Sequence, residues 1–253
     1  MSQLRIEHIS KSFGRQRVLD DISFTFQPGQ VNMIIGPSGC GKTVLLKCIL
    51  GLIIPEEGRV FFGDVDFLRA SPEKKRTILR NLGMLFQSSA LFDSMTVGEN
   101  VAFPLRVFTQ QNENEIQSRV AYCLERVGLA GTQNKYPAEI SGGMKRRVGL
   151  ARAIALNPRY LFCDEPNSGL DPLTARRIDQ LIREITEEFN TTTVVVTHDL
   201  KSVVEMGQRI LFLYEGRAEW QGDRKELLQN VHALPSNLRA FLMASGLVHS
   251  EKI

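Results

Sequence analysis

Eight consecutive residues constrain this chain more than any other feature. Gly36, Pro37, Ser38, Gly39, Cys40, Gly41, Lys42 and Thr43 follow the apolar run 31–35 and lead into an apolar helical stretch over 42–50, closed by Gly51 and Pro55. A glycine loop between a buried strand and a helix is an anion cradle. The glycines let successive backbone N–H groups turn toward one point, and the helix N-terminus adds partial positive charge against phosphate. In such a cradle Lys42 reaches β- and γ-phosphates, and Thr43 offers a hydroxyl to Mg²⁺.

The remainder of the chain supplies a fold in which that loop makes sense. Strand-like runs at 160–163 and 191–197 flank a helical periodicity of Ile178, Leu181, Ile182, Ile185 and Phe189, a βαβ crossover within an α/β protein whose central sheet is largely parallel. From about residue 87 to 155 the pattern changes to helical, with Ile116, Val120, Leu124 and Val127 marking an amphipathic helix, so an inserted helical subdomain is expected. Residues 1–86 and 156–225 then form the nucleotide-binding core with an N-terminal antiparallel β part. Residues 226–253 form a helical tail. No internal repeat or second glycine loop occurs.

Composition narrows the partners. Over 253 residues, 31 Lys and Arg against 28 Asp and Glu leave +3, too even a balance to argue for nucleic acid or an anionic membrane surface. The N-terminus lacks the charged start and apolar run of a signal peptide, and the apolar stretch at 48–55 falls far short of the roughly 20 residues that span a bilayer. A soluble chain is expected. Cys40, Cys48, Cys123 and Cys163 show neither metal-ligand spacing nor the density of a disulfide framework, so they read as reduced thiols without chemistry.

Two further clusters belong with the glycine loop. Asp164 and Glu165 end the run YLFCDE, where a buried strand end makes two carboxylates costly unless a cation compensates them. Taken alone they could be a solvated strand end. Beside a phosphate cradle, Asp164 suits Mg²⁺ and Glu165 can orient and deprotonate an attacking water. His198 follows the third strand in VVVTHD and gains only by that position. Between these lies ISGGMKRRVGLARA, a small-residue turn into a helix bearing Lys145, Arg146, Arg147 and Arg152. Its start is a second anion site, although its basic cluster alone reads as a solvated helix face.

In order along the chain, these motifs resemble the ATP-binding cassette (ABC) family from about residue 4 to 222. Gln87 in LFQSSALF resembles the family's glutamine loop, ISGGM at 140–144 its signature, SGLD at 168–171 its D-loop and His198 its switch histidine. Phe13 matches the aromatic that stacks on adenine. The resemblance implies a P-loop NTPase (RecA-like) core and ATP and Mg²⁺ as ligands. It makes Lys42, Gln87, Glu165 and His198 catalytic, and Thr43, Gln87 and Asp164 the residues around the metal. It also implies a homodimer closing head to tail, with Ser141, Gly142 and Gly143 of one copy covering the γ-phosphate on the other.

Met144 and Asn167 depart from the glutamine and threonine usual in the family. The stretch 85–106 with the GGM signature resembles the ATPases of Mce-type lipid transporters. That likeness implies a (phospho)lipid cargo, a separate membrane permease dimer, an Mce-domain protein and a small regulatory subunit at the cytoplasmic face of a bacterial inner membrane. An ATPase for amino acids, ions or other small solutes is the alternative, because cassette motifs encode ATP use and say nothing of cargo. A docking surface for a permease helix is expected at 87–95, around Leu91, Phe92 and Met95.

Overall fold

The computed structural model describes residues 3–247. Residues 1–2 and the last six positions of the expected tail, 248–253, lie outside the described residues. The N-terminal part is an antiparallel sheet of β1 (Leu4–Phe13), β2 (Gln16–Phe26), β4 (Glu57–Phe62) and β5 (Val65–Asp66), in the order β2-β1-β4-β5.

The central sheet holds β3 (Val31–Ile35), β6 (Leu82–Leu85), β7 (Tyr160–Asp164), β8 (Thr192–Thr197), β9 (Arg209–Tyr214) and β10 (Arg217–Asp223), in the order β10-β9-β3-β8-β7-β6. Every pairing in it is parallel except β9 with β10.

Both faces of this sheet are covered, which is why its strands read as unbroken apolar runs rather than as alternations. Along β7, Tyr160 and Phe162 point into a core shared with the antiparallel sheet and α1 (Lys42–Ile49), whereas Leu161 and Cys163 point into a core built with helices. Val194 and Val196 of β8 divide from Val195 in the same way. Each such fully buried large apolar side chain contributes about 1.5–3 kcal/mol over leaving it exposed.

A short helix, α2 (Pro72–Leu79), is followed by β6 and then by α3 (Val97–Phe108), α4 (Glu113–Arg126) and α5 (Gly142–Ile154), all between β6 and β7 in the chain. The expected stripe on α4 is buried at Ile116, Val120 and Leu124, joined by Cys123. Helix α6 (Pro172–Phe189) makes the β7–β8 crossover. Ahead of β9 runs α7 (Leu200–Met206).

The described part of the tail packs against the main core. From α8 (Arg224–Gln229) and α9 (Ser236–Ala244) it buries Leu227, Leu238 and Leu242 in the main core, and Phe241 lies 5.6 Å from Phe212 of β9. All four cysteines are buried and free. Burial pushes the Cys48 and Cys123 thiols up to about 11, which suppresses the nucleophilic thiolate.

The topology decides where chemistry can occur. Neighbouring parallel strands β3, β8 and β7 release their C-terminal ends at one sheet edge, and β6 adds a fourth. In open α/β sheets that edge is where ligands bind.

Candidate active site

At the end of β3 the chain enters the glycine loop. Gly41 caps α1 with φ 105°, a left-handed conformation, and a Cβ there would lie 2.8 Å from Leu19 Cδ2 and 2.9 Å from the Val18 carbonyl. Glycine is demanded by both geometry and space. At Gly39, φ is 81° and a Cβ would meet nothing within 4 Å, so this part of the loop has an open outer face. Lys42 is buried, and its Nζ donates to the carbonyls of Gly36 and Pro37 at 2.9 Å each. These bonds hold the ammonium across the loop and satisfy a charge that burial would otherwise make costly.

Thr43, the next residue, donates from Oγ1 to Asp164 Oδ1 at 3.2 Å, linking the start of α1 to the end of β7. Burial raises the Asp164 carboxyl above the usual carboxylate range. The charge of Glu165 adds to that, while the Thr43 hydrogen bond and the charges of Lys47 and Lys42 oppose it. A hydroxyl and a buried carboxylate short of positive charge are hard oxygen donors, the set that Mg²⁺ accepts when substrate phosphates complete its shell. The residues present fit a magnesium nucleotide.

Past Asp164 the backbone turns sharply. Glu165 adopts φ 46°, in the left-handed region, and its N–H donates to the Val196 carbonyl at 2.8 Å. For a residue other than glycine that conformation costs of order 1–3 kcal/mol, borne here by the surrounding sheet. His198 Nδ1 lies 2.9 Å from Glu165 Oε1, a hydrogen bond in which the imidazole donates, and Thr197 Oγ1 donates to Oε2 at 3.5 Å. One carboxylate is thus oriented by two consecutive residues at the end of β8.

A cleft of about 300 Å³ is walled by Ser38, Gly39, Gly41, Lys42, Thr43, Gln87, Glu165 and His198, together with Val18 and Val44. Four strand ends therefore bring their candidate residues together. Gln87, just beyond β6, donates from Nε2 to Ser168 Oγ at 3.5 Å. Val18 comes from β2 and carried no signal in the sequence, being one apolar residue in an ordinary strand pattern.

Other expected site residues lie elsewhere. Phe13 ends β1 about half exposed, with Lys11 Nζ 5.3 Å from its ring centroid, and does not wall the cleft. Ser141, Gly142 and Gly143 do not wall it either. Ser141 caps α5 through Oγ, which accepts from the Met144 N–H at 3.2 Å, and a Cβ on Gly143 would press to 2.6 Å from Thr174 Cγ2 of α6.

Both departures from the motif pattern have structural uses. Met144 is half-buried against the core. Asn167 is buried and donates from Nδ2 to Asp179 Oδ1 at 2.6 Å and to Ser202 Oγ at 3.0 Å, tying the loop after Glu165 to α6 and α7.

A family profile described as ABC transporter matches residues 19–168, more than half of the chain. The chain belongs to the ABC transporter family. It is 38% identical over 227 residues to the intermembrane phospholipid transport system ATP-binding protein MlaF of Haemophilus influenzae, covering 90% of this chain and 86% of that one. With the probable ribonucleotide transport ATP-binding protein mkl of Mycobacterium tuberculosis it shares 40% identity over 225 residues, 89% of this chain. It spans only 63% of the length of that relative.

Among solved structures, it matches a dimeric ABC cassette, MJ0796, in a post-hydrolysis state with ADP and Pi, at 31% identity and a TM-score of 0.79, over 87% of this chain and 98% of that one. The ABC assignment accounts for the sheet edge, the glycine loop and the carboxylate pair at once.

Proposed function

We propose that this ABC cassette hydrolyses ATP as a homodimer and drives (phospho)lipid transport through a separate permease. The observation that carries the hydrolytic part is the convergence of Lys42, Thr43, Glu165, His198 and Gln87 on one cleft, with Asp164 hydrogen-bonded behind Thr43. Thr43, Asp164 and Gln87 would hold Mg²⁺ together with the phosphates of ATP, and the ion would supply neutralising charge to the transferring phosphoryl group. Glu165 accepts a proton from the attacking water, and His198 keeps its carboxylate aimed. Lys42 moves its ammonium from the loop carbonyls to phosphate oxygens.

The helix N-terminus capped by Ser141 stands outside this cleft, which supports a site completed by Ser141, Gly142 and Gly143 of a second copy. Phe13 stacks on the adenine. Residues 87–155 act as one mechanical unit that swings Ser141 toward the partner's nucleotide.

For the permease, the apolar groove of about 390 Å³ between β6, α3 and α5 is the docking surface. It includes Phe86, Phe92 and Phe103, whereas Leu91 and Met95 are only partly exposed. Among the described residues no helix is long and apolar enough to cross a membrane. A separate membrane partner is consistent with that, and the cassette works at the cytoplasmic face of a bacterial inner membrane. Likeness to MlaF, an intermembrane phospholipid transport protein, across most of both chains supports a lipid cargo; an Mce-domain protein and a small regulatory subunit complete the proposed assembly. The solute alternative is favoured by the name of mkl, a ribonucleotide transport protein. Mass spectrometry of the purified native complex decides between them. Co-purifying phospholipid supports the lipid reading, whereas an assembly without lipid whose ATPase responds to a small solute supports the alternative.

A further inference from the structure

Three of the four basic residues of α5 do not form a solvated face. Arg146 is 5% exposed, and its guanidinium donates from Nη1 to the carbonyls of Phe86 and Gln87 and from Nη2 to the carbonyl of Ser168 at 3.2 Å. Arg147 donates to the carbonyls of Val127 and Gly128, and Arg152 to those of Ser89 and Ala90 at 2.7 Å each. Ser89 and Ala90 both have left-handed backbone, φ 63° and 44°, a turn that leaves their carbonyls accessible to Arg152.

Arg146 closes a triangle that the other two do not. Gln87 donates from its side chain to Ser168 Oγ, while Arg146 grips the main-chain carbonyls of both Gln87 and Ser168. Among the described residues no carboxylate pairs with this buried cation, and its Nε is buried without a hydrogen-bond partner. An unsatisfied buried donor is a net cost to the fold, so the arrangement is not one that stability alone selects. A planar fork meeting carbonyls on two loops restricts geometry in a way that a flexible ammonium or an apolar side chain does not.

We propose that Arg146 is a positioning residue for Gln87, fixing the main chain at 87 and 168 so that the Gln87 amide is presented to the nucleotide cleft. It also makes the loop at 86–90 and helix α5 one body, so that displacement of Gln87 carries Ser141 with it. The proposal rests on the reading of Gln87 as a residue of the ATPase site.

The test is a double-mutant cycle on the native complex, with ATP affinity and melting temperature measured beside steady-state hydrolysis. Arg146→Gln is expected to lower kcat by about 10–100-fold, the effect of misplacing a reacting group by about 1 Å, with ATP affinity within about twofold of wild type. Arg146→Lys, which keeps charge and reaches only part of the carbonyl set, should recover part of that loss.

Because Arg146 acts through Gln87, the double variant Arg146→Gln with Gln87→Ala should be no more than about threefold below the worse single variant. If Gln87→Ala impairs hydrolysis but the two losses multiply, this proposal is overturned and the role of Gln87 stands. If Gln87→Ala is silent, the role of Gln87 fails, and the proposal with it. Should Arg146→Gln melt too low to assay, Arg146→Lys carries the same cycle and the same outcomes.

Discussion

Glu165 differs from its neighbour in one respect that matters for chemistry. Asp164 is tied to Thr43, whereas Glu165 is turned by a left-handed backbone into the cleft and held by His198 and Thr197. Glu165→Gln keeps the shape but cannot accept the water's proton, so ATP binding should persist while turnover falls about 10²–10⁴-fold, as steady-state phosphate release will show. Hydrolysis at the wild-type rate would remove Glu165 from its assigned role.

Asp179 links stability to pH. Burial, reinforced by the charges of Asp199 and Glu205, pushes its carboxyl up to about 6, while Asn167 and Ser202 hydrogen bonds pull the other way. A folded-state value above the unfolded one means that this group favours the fold most below about pH 4, with that contribution lost as pH rises to about 6. Asp179→Asn should therefore flatten the pH dependence of stability in that window and raise stability at neutral pH by up to about 3 kcal/mol. Denaturant melts across pH 4–7 measure it, and an unchanged slope rules out Asp179 as its source.

At the scale of elements, α3 places Phe103 beside Phe92, ring centroids 5.0 Å apart, on an apolar groove with β6 and α5 behind it. Phe103→Asp should reduce recovery of the membrane partner in pull-downs at least about tenfold, since a charge in a contact core is strongly disfavoured, while the isolated cassette hydrolyses ATP within about twofold of wild type. Full recovery of the partner would move the docking surface elsewhere.

The sequence made Phe92 visible through its neighbourhood to Gln87, but Phe103 lies eleven residues on and joins it only through tertiary packing. Strands β3, β7 and β8 were legible because burial on both faces leaves runs of apolar residues, and the glycine loop because its chemistry allows few substitutes. The arginines of α5 were not. A basic cluster looks the same whether it faces water or the carbonyls of two loops, and only the fold brings 86–87 and 168 to Arg146.

Across the whole molecule, the described residues offer one cleft at the glycine loop and, away from it, one glycine-flanked helix start capped by Ser141. In the proposed homodimer, a γ-phosphate bound at the first would lack charge stabilisation on its far side, and the second copy's α5 would supply it with backbone N–H groups and a helix dipole. Lys42→Ala and Ser141→Arg should each silence a homodimer. In a heterodimer with one lesion per chain, both fall in one composite site, and tagged heterodimers should recover activity above either mutant homodimer. The most direct measurement is ATP hydrolysis by a Ser141→Arg homodimer whose dimeric state is verified in the same preparation. A rate at least about 100-fold below wild type is expected, the scale of losing preorganised donors at a developing charge. A verified Ser141→Arg homodimer turning over ATP at the wild-type rate contradicts it, because Ser141 would then reach no nucleotide.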